Sequence, residues 1–230
     1  MASEIIKAYM RVIEAKRLTL EPQVVAHAEP MFAVLSDPAI YQYENAPPPS
    51  IEWLHERFAR LESRCSADGC EQWLNWVIRL STSELIGYVQ ATLHADGRAA
   101  IAHELSSAYW GRGLAREAVE GMINELVTYY RVHTLTAVLK RENRRSFRLL
   151  ERLGFSLSST EMHAAHDVGS DELMLQRKLA INESSVQQPC CQSNAGRRWR
   201  SDRRFRQRRS PQASGTHVNT NAPVDRDSVP

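Results

Sequence analysis

At 230 residues and 43% hydrophobic content, the chain is long enough for one domain with an ample core. Its net charge of +2 conceals a split, because residues 181–230 carry a net +5 and the first 180 are near −3. No apolar run reaches the roughly 18 residues of a membrane span, and no cleavable hydrophobic leader opens the chain, which excludes secretion and membrane insertion.

Ser3 to Ala15 reads as a short helix outside the core, so residues 1–15 are taken as an N-terminal extension. Arg17-Leu18-Thr19-Leu20-Glu21-Pro22 reads as a first strand. Ser50 can cap a helix whose Ile51, Leu54, Phe58 and Leu61 form one apolar stripe. Leu74, Trp76, Ile78 and Leu80 recur with period two, and strands over Leu85 to Leu93 and Ala99 to Leu105 are joined through the turn dipeptide Asp96-Gly97. Apolar residues from Leu114 to Tyr130 recur at helical spacing, followed by a strand from Thr134 to Lys140. Asn143 then opens a helix that Gly154 can end, and strand material follows at Phe155 to Leu157 and Glu172 to Leu179. The order predicts an α/β fold with a single mixed sheet flanked by helices over residues 16–180.

Beyond Ala180 the composition changes. The run Arg197-Arg198-Trp199-Arg200-Ser201-Asp202-Arg203-Arg204-Phe205-Arg206-Gln207-Arg208-Arg209 sits in a segment with few apolar groups to offset chain entropy, so residues 181–230 read as a disordered basic tail. Its arginines and aromatic residues could engage RNA, which makes the tail the one route to nucleic acid. Cys65, Cys70, Cys190 and Cys191 suggest neither a disulfide framework nor a zinc site, so a reduced cytoplasmic setting without a metal is expected.

The most informative segment is Ser107-Ala108-Tyr109-Trp110-Gly111-Arg112-Gly113-Leu114-Ala115-Arg116-Glu117-Ala118, which joins a strand to a helix through a glycine-bearing turn. A helix start offers unpaired N–H groups and the positive end of the dipole, so the expected ligand is a pyrophosphate. A dinucleotide fingerprint needs glycine where Arg116 stands, and no Gly-Lys-Ser/Thr is present.

What remains resembles the acyl-CoA loop of the GNAT superfamily of N-acetyltransferases, Gln/Arg-x-x-Gly-x-Gly/Ala, here Trp110-Gly111-Arg112-Gly113-Leu114-Ala115 with Trp at the first motif position. Tyr-Trp-Gly-x-Gly followed by Glu-Ala is similar to the ribosomal-protein N-terminal acetyltransferase branch. Asn143-Arg144-Arg145-Ser146, running on to Gly154-Phe155, resembles the Asn-x-x-Ser/Ala segment of the same family. The resemblance implies a splayed strand pair that receives the pantetheine arm of acetyl-CoA. It also implies Leu105, Gly111, Arg112, Gly113, Leu114, Ala115, Asn143 and Ser146 as cofactor-binding residues.

The implied reaction moves an acetyl group to a primary amine, on a peptide or ribosomal-protein N-terminus or on a small molecule. Such a transfer needs a base, and His103 and Glu104 lie on the strand before the loop, where relatives place one. Successive strand residues face opposite ways, so only one should look into the acceptor cleft, and Glu104 is preferred over His103, which shares a face with Ile101 and Leu105. Leu150 stands where many relatives have a thiolate-protonating tyrosine, and Ser146, one turn earlier, could hydrogen-bond the thiolate instead. Asp37-Pro38 and the loop from Tyr41 to Pro49 occupy the acceptor-lining segment of the family, whereas Trp53, Phe58, Trp73 and Trp76 read as core. Two alternatives remain open: a non-catalytic acyl-CoA-binding relative, and an RNA- or ribosome-associated protein acting through its tail.

Overall fold

The computed structural model describes residues 10–43 and 45–179. The basic tail and the first nine residues lie outside this range. Eight strands form one sheet in the order β1 (Ile13–Glu14), β2 (Leu18–Pro22), β3 (Glu71–Leu80), β4 (Leu85–His94), β5 (Arg98–Leu105), β6 (Thr134–Lys140), β8 (Glu172–Lys178) and β7 (Ser156–Leu157). All neighbouring pairs are antiparallel except β5 and β6.

That exception follows from the connection. β5 and β6 are linked through α3 (Leu114–Thr128), a crossover helix of the kind parallel strands require. Its Leu114, Ala118, Val119, Met122, Ile123 and Leu126 are buried against Leu20, Trp76, Ile78, Val89, Ile101 and Leu135 of the sheet. The opposite face is covered by α1 (Ala28–Leu35) and α2 (Ile51–Glu62), which bury Met31, Leu35, Leu54 and Phe58 around Val77. The central strand β3 is accordingly buried continuously from Trp73 to Ile78, because it has a helical layer on each side.

Local chemistry explains most boundaries. Ser50 Oγ accepts from Trp53 N–H at 3.2 Å to cap α2, and Asn143 Oδ1 accepts from Ser146 N–H at 3.1 Å to cap α4 (Arg144–Arg152). Gly154, at φ +79°, ends α4 in the left-handed conformation.

Two expectations are corrected. In place of a helix running to Ala15, Ile13–Glu14 is a strand paired with Leu20 and Thr19, and Met10 is buried in the main core. The reason is tertiary: Arg11 makes a bidentate ion pair with the buried Glu125 of α3, at 3.0 and 2.6 Å, and stacks 3.2 Å above the Tyr129 ring. The short helix α5 (Thr160–Ala165), capped by Ser159, was not expected from the sequence.

Candidate active site

The site begins where β5 and β6 part. They pair only at Arg98↔Thr134, Ala99↔Leu135 and Ala100↔Thr136, although β5 continues to Leu105 and β6 to Lys140. Beyond Ala100 each strand keeps its outer partner, β4 or β8, and the inner edges face one another without a shared ladder. Unpaired strand backbone on both walls of a wedge can receive an extended, amide-bearing chain.

The wedge opens toward the glycine turn. Gly111 and Gly113 have φ of +74° and +75°, a region that side chains with a Cβ rarely enter. Space is not the constraint, because a Cβ on Gly111 would meet nothing within 4 Å and one on Gly113 only Arg17 Nη2 at 3.5 Å. The backbone is wound here so that α3 starts at Leu114, and by helix geometry the N–H groups of Leu114, Ala115 and Arg116 lack intrahelical acceptors.

Arg17 braces this turn. Its guanidinium donates to Arg112 O at 2.9 Å and to Glu117 Oε2 at 2.7 Å, while its N–H donates to Glu117 Oε1 at 2.7 Å. Glu117 thereby keeps a cation beside it at the very helix start that would hold an anion. Trp110, where the motif has Gln or Arg, donates its indole N–H to Leu105 O at 2.8 Å and lies under the Arg145 guanidinium at 3.5 Å. The substitution thus ties the end of β5 to the start of α4.

A cavity of about 580 Å³ runs from this turn to α4. Leu105, Gly111, Gly113, Leu114, Ala115, Asn143 and Ser146, named from the family resemblance, line it. Arg112 does not: its side chain lies 5.2 Å above the Tyr109 ring, and its carbonyl is taken by Arg17. Sequence reasoning missed Arg116, Arg145, Arg148 and Arg152 on the same cavity. The signal was present, since residues 145, 148 and 152 recur at i, i+3 and i+7 and so share one helix face.

A second cavity, about 280 Å³, lies on the α1/α2 side. Tyr41, Tyr43, Trp53, Arg57, Tyr88 and Glu104 are among its lining residues; Trp53 is half-buried and packs against the α1/α2 core as well, and Phe58 and Trp76 are buried as expected. Ile40, Tyr43, His103, Glu104, Asn143 and Ser146 line both cavities and mark their junction. Both His103 and Glu104 therefore reach it, although their side chains leave opposite faces of β5. The wedge exposes the edge of β5 as well as its faces, so a residue can line the junction through backbone as well as side chain.

Electrostatics separate the two. Burial alone lowers the His103 pKa to about 4, leaving a neutral imidazole with little affinity for a proton. Glu104 stands opposite Tyr88 in the β4–β5 register, and burial followed by the Glu104 charge pushes the Tyr88 hydroxyl well above its ordinary range. Tyr41 is raised for the same two reasons, and its hydroxyl donates to Leu35 O at 2.8 Å.

Asp37 joins the two cavities mechanically. One carboxylate oxygen accepts from Ala39 N–H at 3.0 Å and the other from Ser107 N–H at 2.9 Å, tying the loop that carries Ile40, Tyr41 and Tyr43 to the end of β5. The hydroxyl and N–H of Ser107 hold the Asp37 carboxyl below the usual carboxylate range.

Comparison with known proteins agrees with this geometry. Residues 17–156 match the profile of the acetyltransferase (GNAT) domain. The uncharacterized N-acetyltransferase p20 of Bacillus licheniformis is 27% identical over 148 residues, spanning 64% of this chain and 83% of that protein. The uncharacterized N-acetyltransferase YoaA of Bacillus subtilis (strain 168) is 25% identical over 147 residues, spanning 63% and 82%. A ribosomal L7/L12 α-N-protein acetyltransferase solved in complex with coenzyme A superposes with a TM-score of 0.63 at 17% identity, over 74% of this chain and 98% of that one. The ribosomal-protein-S5-alanine acetyltransferase of Vibrio fischeri gives 0.60 at 16% identity, over 76% and 98%, and at such identities both speak for the fold. The wedge, the glycine turn and the extent of the profile match together make this chain a member of the GNAT family, an acyltransferase that uses acetyl-CoA to acetylate amines.

Proposed function

We propose that the protein acetylates a primary amine, the α-amine of a peptide or protein or that of a small molecule, by direct transfer within a ternary complex in a cytoplasmic setting. The observation that carries this reading is the junction itself: the cavity beside the glycine turn and the cavity beneath α1 and α2 meet at Glu104 and Ser146. A donor entering from one side and an amine from the other would be brought together there without passing through bulk water. The two ribosomal-protein acetyltransferases of like fold make a protein N-terminus an apt acceptor.

In this reading the N–H groups of Leu114, Ala115 and Arg116 hold the diphosphate, Arg116, Arg145, Arg148 and Arg152 add positive charge around it, and the open edges of β5 and β6 pair with the pantetheine amides. Acetyl-CoA supplies the activated acyl group. Glu104 takes a proton from the ammonium, which a carboxylate does more readily for an α-amine of pKa about 8 than for a lysine near 10.4. His103, neutral over the physiological range, lines the passage without carrying the proton. Leu150 is buried and cannot protonate the sulfur. Ser146 can donate a hydrogen bond to it, and a thiol of pKa about 8.5 leaves without a strong acid.

Glu104→Gln keeps the shape and removes the base. On an accepted amine its kcat/KM at neutral pH should fall roughly a hundredfold, with acetyl-CoA affinity unchanged. The deficit should narrow as pH rises, because the free amine then deprotonates in solution. Full activity of the variant between about pH 6 and 9 would remove Glu104 from the reaction.

A further inference from the structure

We infer that the acceptor cavity carries a row of carboxamides, Gln23, Asn75 and Gln90, that binds a neutral peptide group behind the reacting amine. The inference rests on the reading of Glu104 as the residue that meets the amine. Asn75 pairs with Gln90 across β3 and β4, Gln90 pairs with Ala102 across β4 and β5, and Gln23 N–H donates to Asn75 O at 2.9 Å. The three amides therefore lie side by side on the sheet face that carries Tyr88 and Glu104, and all three line the cavity.

These amides are not spent on the fold. Asn75 is 3% exposed and Gln23 4%, yet among the described residues neither the Asn75 nor the Gln90 side chain has a hydrogen-bond partner. Gln23 has one long contact, Nε2 to Phe58 O at 3.5 Å, which is marginal as a bond. The Asn75 and Gln90 carboxamides open onto the cavity and, among the described residues, make no bond to the protein, so their donors and acceptors are available to a molecule that enters it.

The chemistry of the row narrows the ligand. It is uncharged, so it offers no ion pair of its own and binds through hydrogen bonds alone. Each carboxamide presents a carbonyl and an NH₂ group, the complement of a peptide N–H and C=O. The row lies two residues along β4 and β5 from the Tyr88↔Glu104 pair, about 7 Å away. An extended peptide advances about 3.3–3.6 Å per residue, so an α-amine at Glu104 would lay the peptide groups of its first two residues over the amides. Ala102, small and exposed, leaves that path clear.

The test compares a tripeptide amide with pentylamine, which has similar reach and no amide, on the full chain saturated with coenzyme A. Asn75→Leu conserves size and removes the amide. Calorimetry should show tripeptide-amide affinity falling about tenfold with pentylamine affinity unchanged, and the melting temperature of the free protein should hold or rise by about 2–4 °C. Gln90→Leu should act in the same direction. Equal binding of the tripeptide amide by wild type and Asn75→Leu would overturn the inference, as would equal loss of both ligands or a lowered melting temperature without selective loss. Turnover of the same ligands separates this inference from the catalytic one. A tripeptide amide held through Asn75 but not acetylated refutes the reaction and keeps the row, whereas one acetylated equally by Asn75→Leu refutes the row and keeps the reaction.

Discussion

The cavity beside the glycine turn draws most of its lining from two short stretches, 105–116 and 143–152, each the junction of a strand with a following helix. The cavity beneath α1 and α2 gathers residues from Gln23 through α1, the proline-bearing loop, α2 and four strands to Leu150. The first is made largely of backbone conformation and arginine charge, the second of aromatic rings and amides that meet only in the folded sheet. A diphosphate has one shape and can be held by a local turn. An acceptor is distinguished by side chains, and those can come from anywhere the fold brings together.

Three changes probe this division beyond the Glu104 and Asn75 variants. The largest effect is expected on the local side. Gly113→Val forces a β-branched residue into φ +75°, which costs about 1–3 kcal/mol and distorts the turn. Acetyl-CoA at a hundredfold excess over its wild-type Kd should stabilise the parent by about 2.7 kcal/mol and this variant hardly at all. A ligand-induced melting shift equal to that of wild type would show that the turn does not hold the diphosphate.

Gly87→Ala acts at the boundary. A Cβ there would stand 2.1 Å from Glu104 O and 2.9 Å from Leu105 Cα, both backbone atoms that must move aside. We expect about 1–3 kcal/mol of destabilisation from this overpacking, together with loss of turnover, because β5 shifts at the junction of both cavities. Chemical denaturation and steady-state kinetics check it, and unchanged turnover would separate Glu104's position from its pairing with β4.

The smallest effect is expected for Asp37→Asn. Its two oxygens serve two different N–H groups, and asparagine has one oxygen to offer, so the Ala39 or the Ser107 bond is lost. Acceptor KM should rise severalfold while acetyl-CoA affinity stays near wild type, as expected for about 1 kcal/mol confined to the acceptor loop. Because the folded pKa of Asp37 is depressed, its stabilisation is present above the unfolded value near 3.9 and is lost as pH falls through the lower folded value. The tie should thus persist throughout the neutral range and fail only in acid.

The contrast between cavities is also a contrast in legibility. The cap at Asn143, the glycine turn and the apolar face of α3 depend on contacts within a few residues, and each could be read from the chain. Arg145, Arg148 and Arg152 share one face of α4 by spacing alone, but only the fold sets a cavity beside that face. The strand at Ile13–Glu14 defeated local reading because Arg11 answers a carboxylate 114 residues away. Asn75 and Gln90 look unremarkable in a strand until the register sets them side by side.

What the sequence by itself determined was the order of elements, the glycine turn before α3 and the family resemblance, since caps, glycine conformations and periodic apolar faces act over one or two turns of chain. Only the tertiary structure decided where β5 and β6 separate, that His103 and Glu104 both line the junction of the two cavities, and which amides line the cavity beneath α1 and α2. Those outcomes depend on sheet register and on the packing of α1 and α2 over one face, which couple residues far apart in the chain and leave no periodic trace in any one segment.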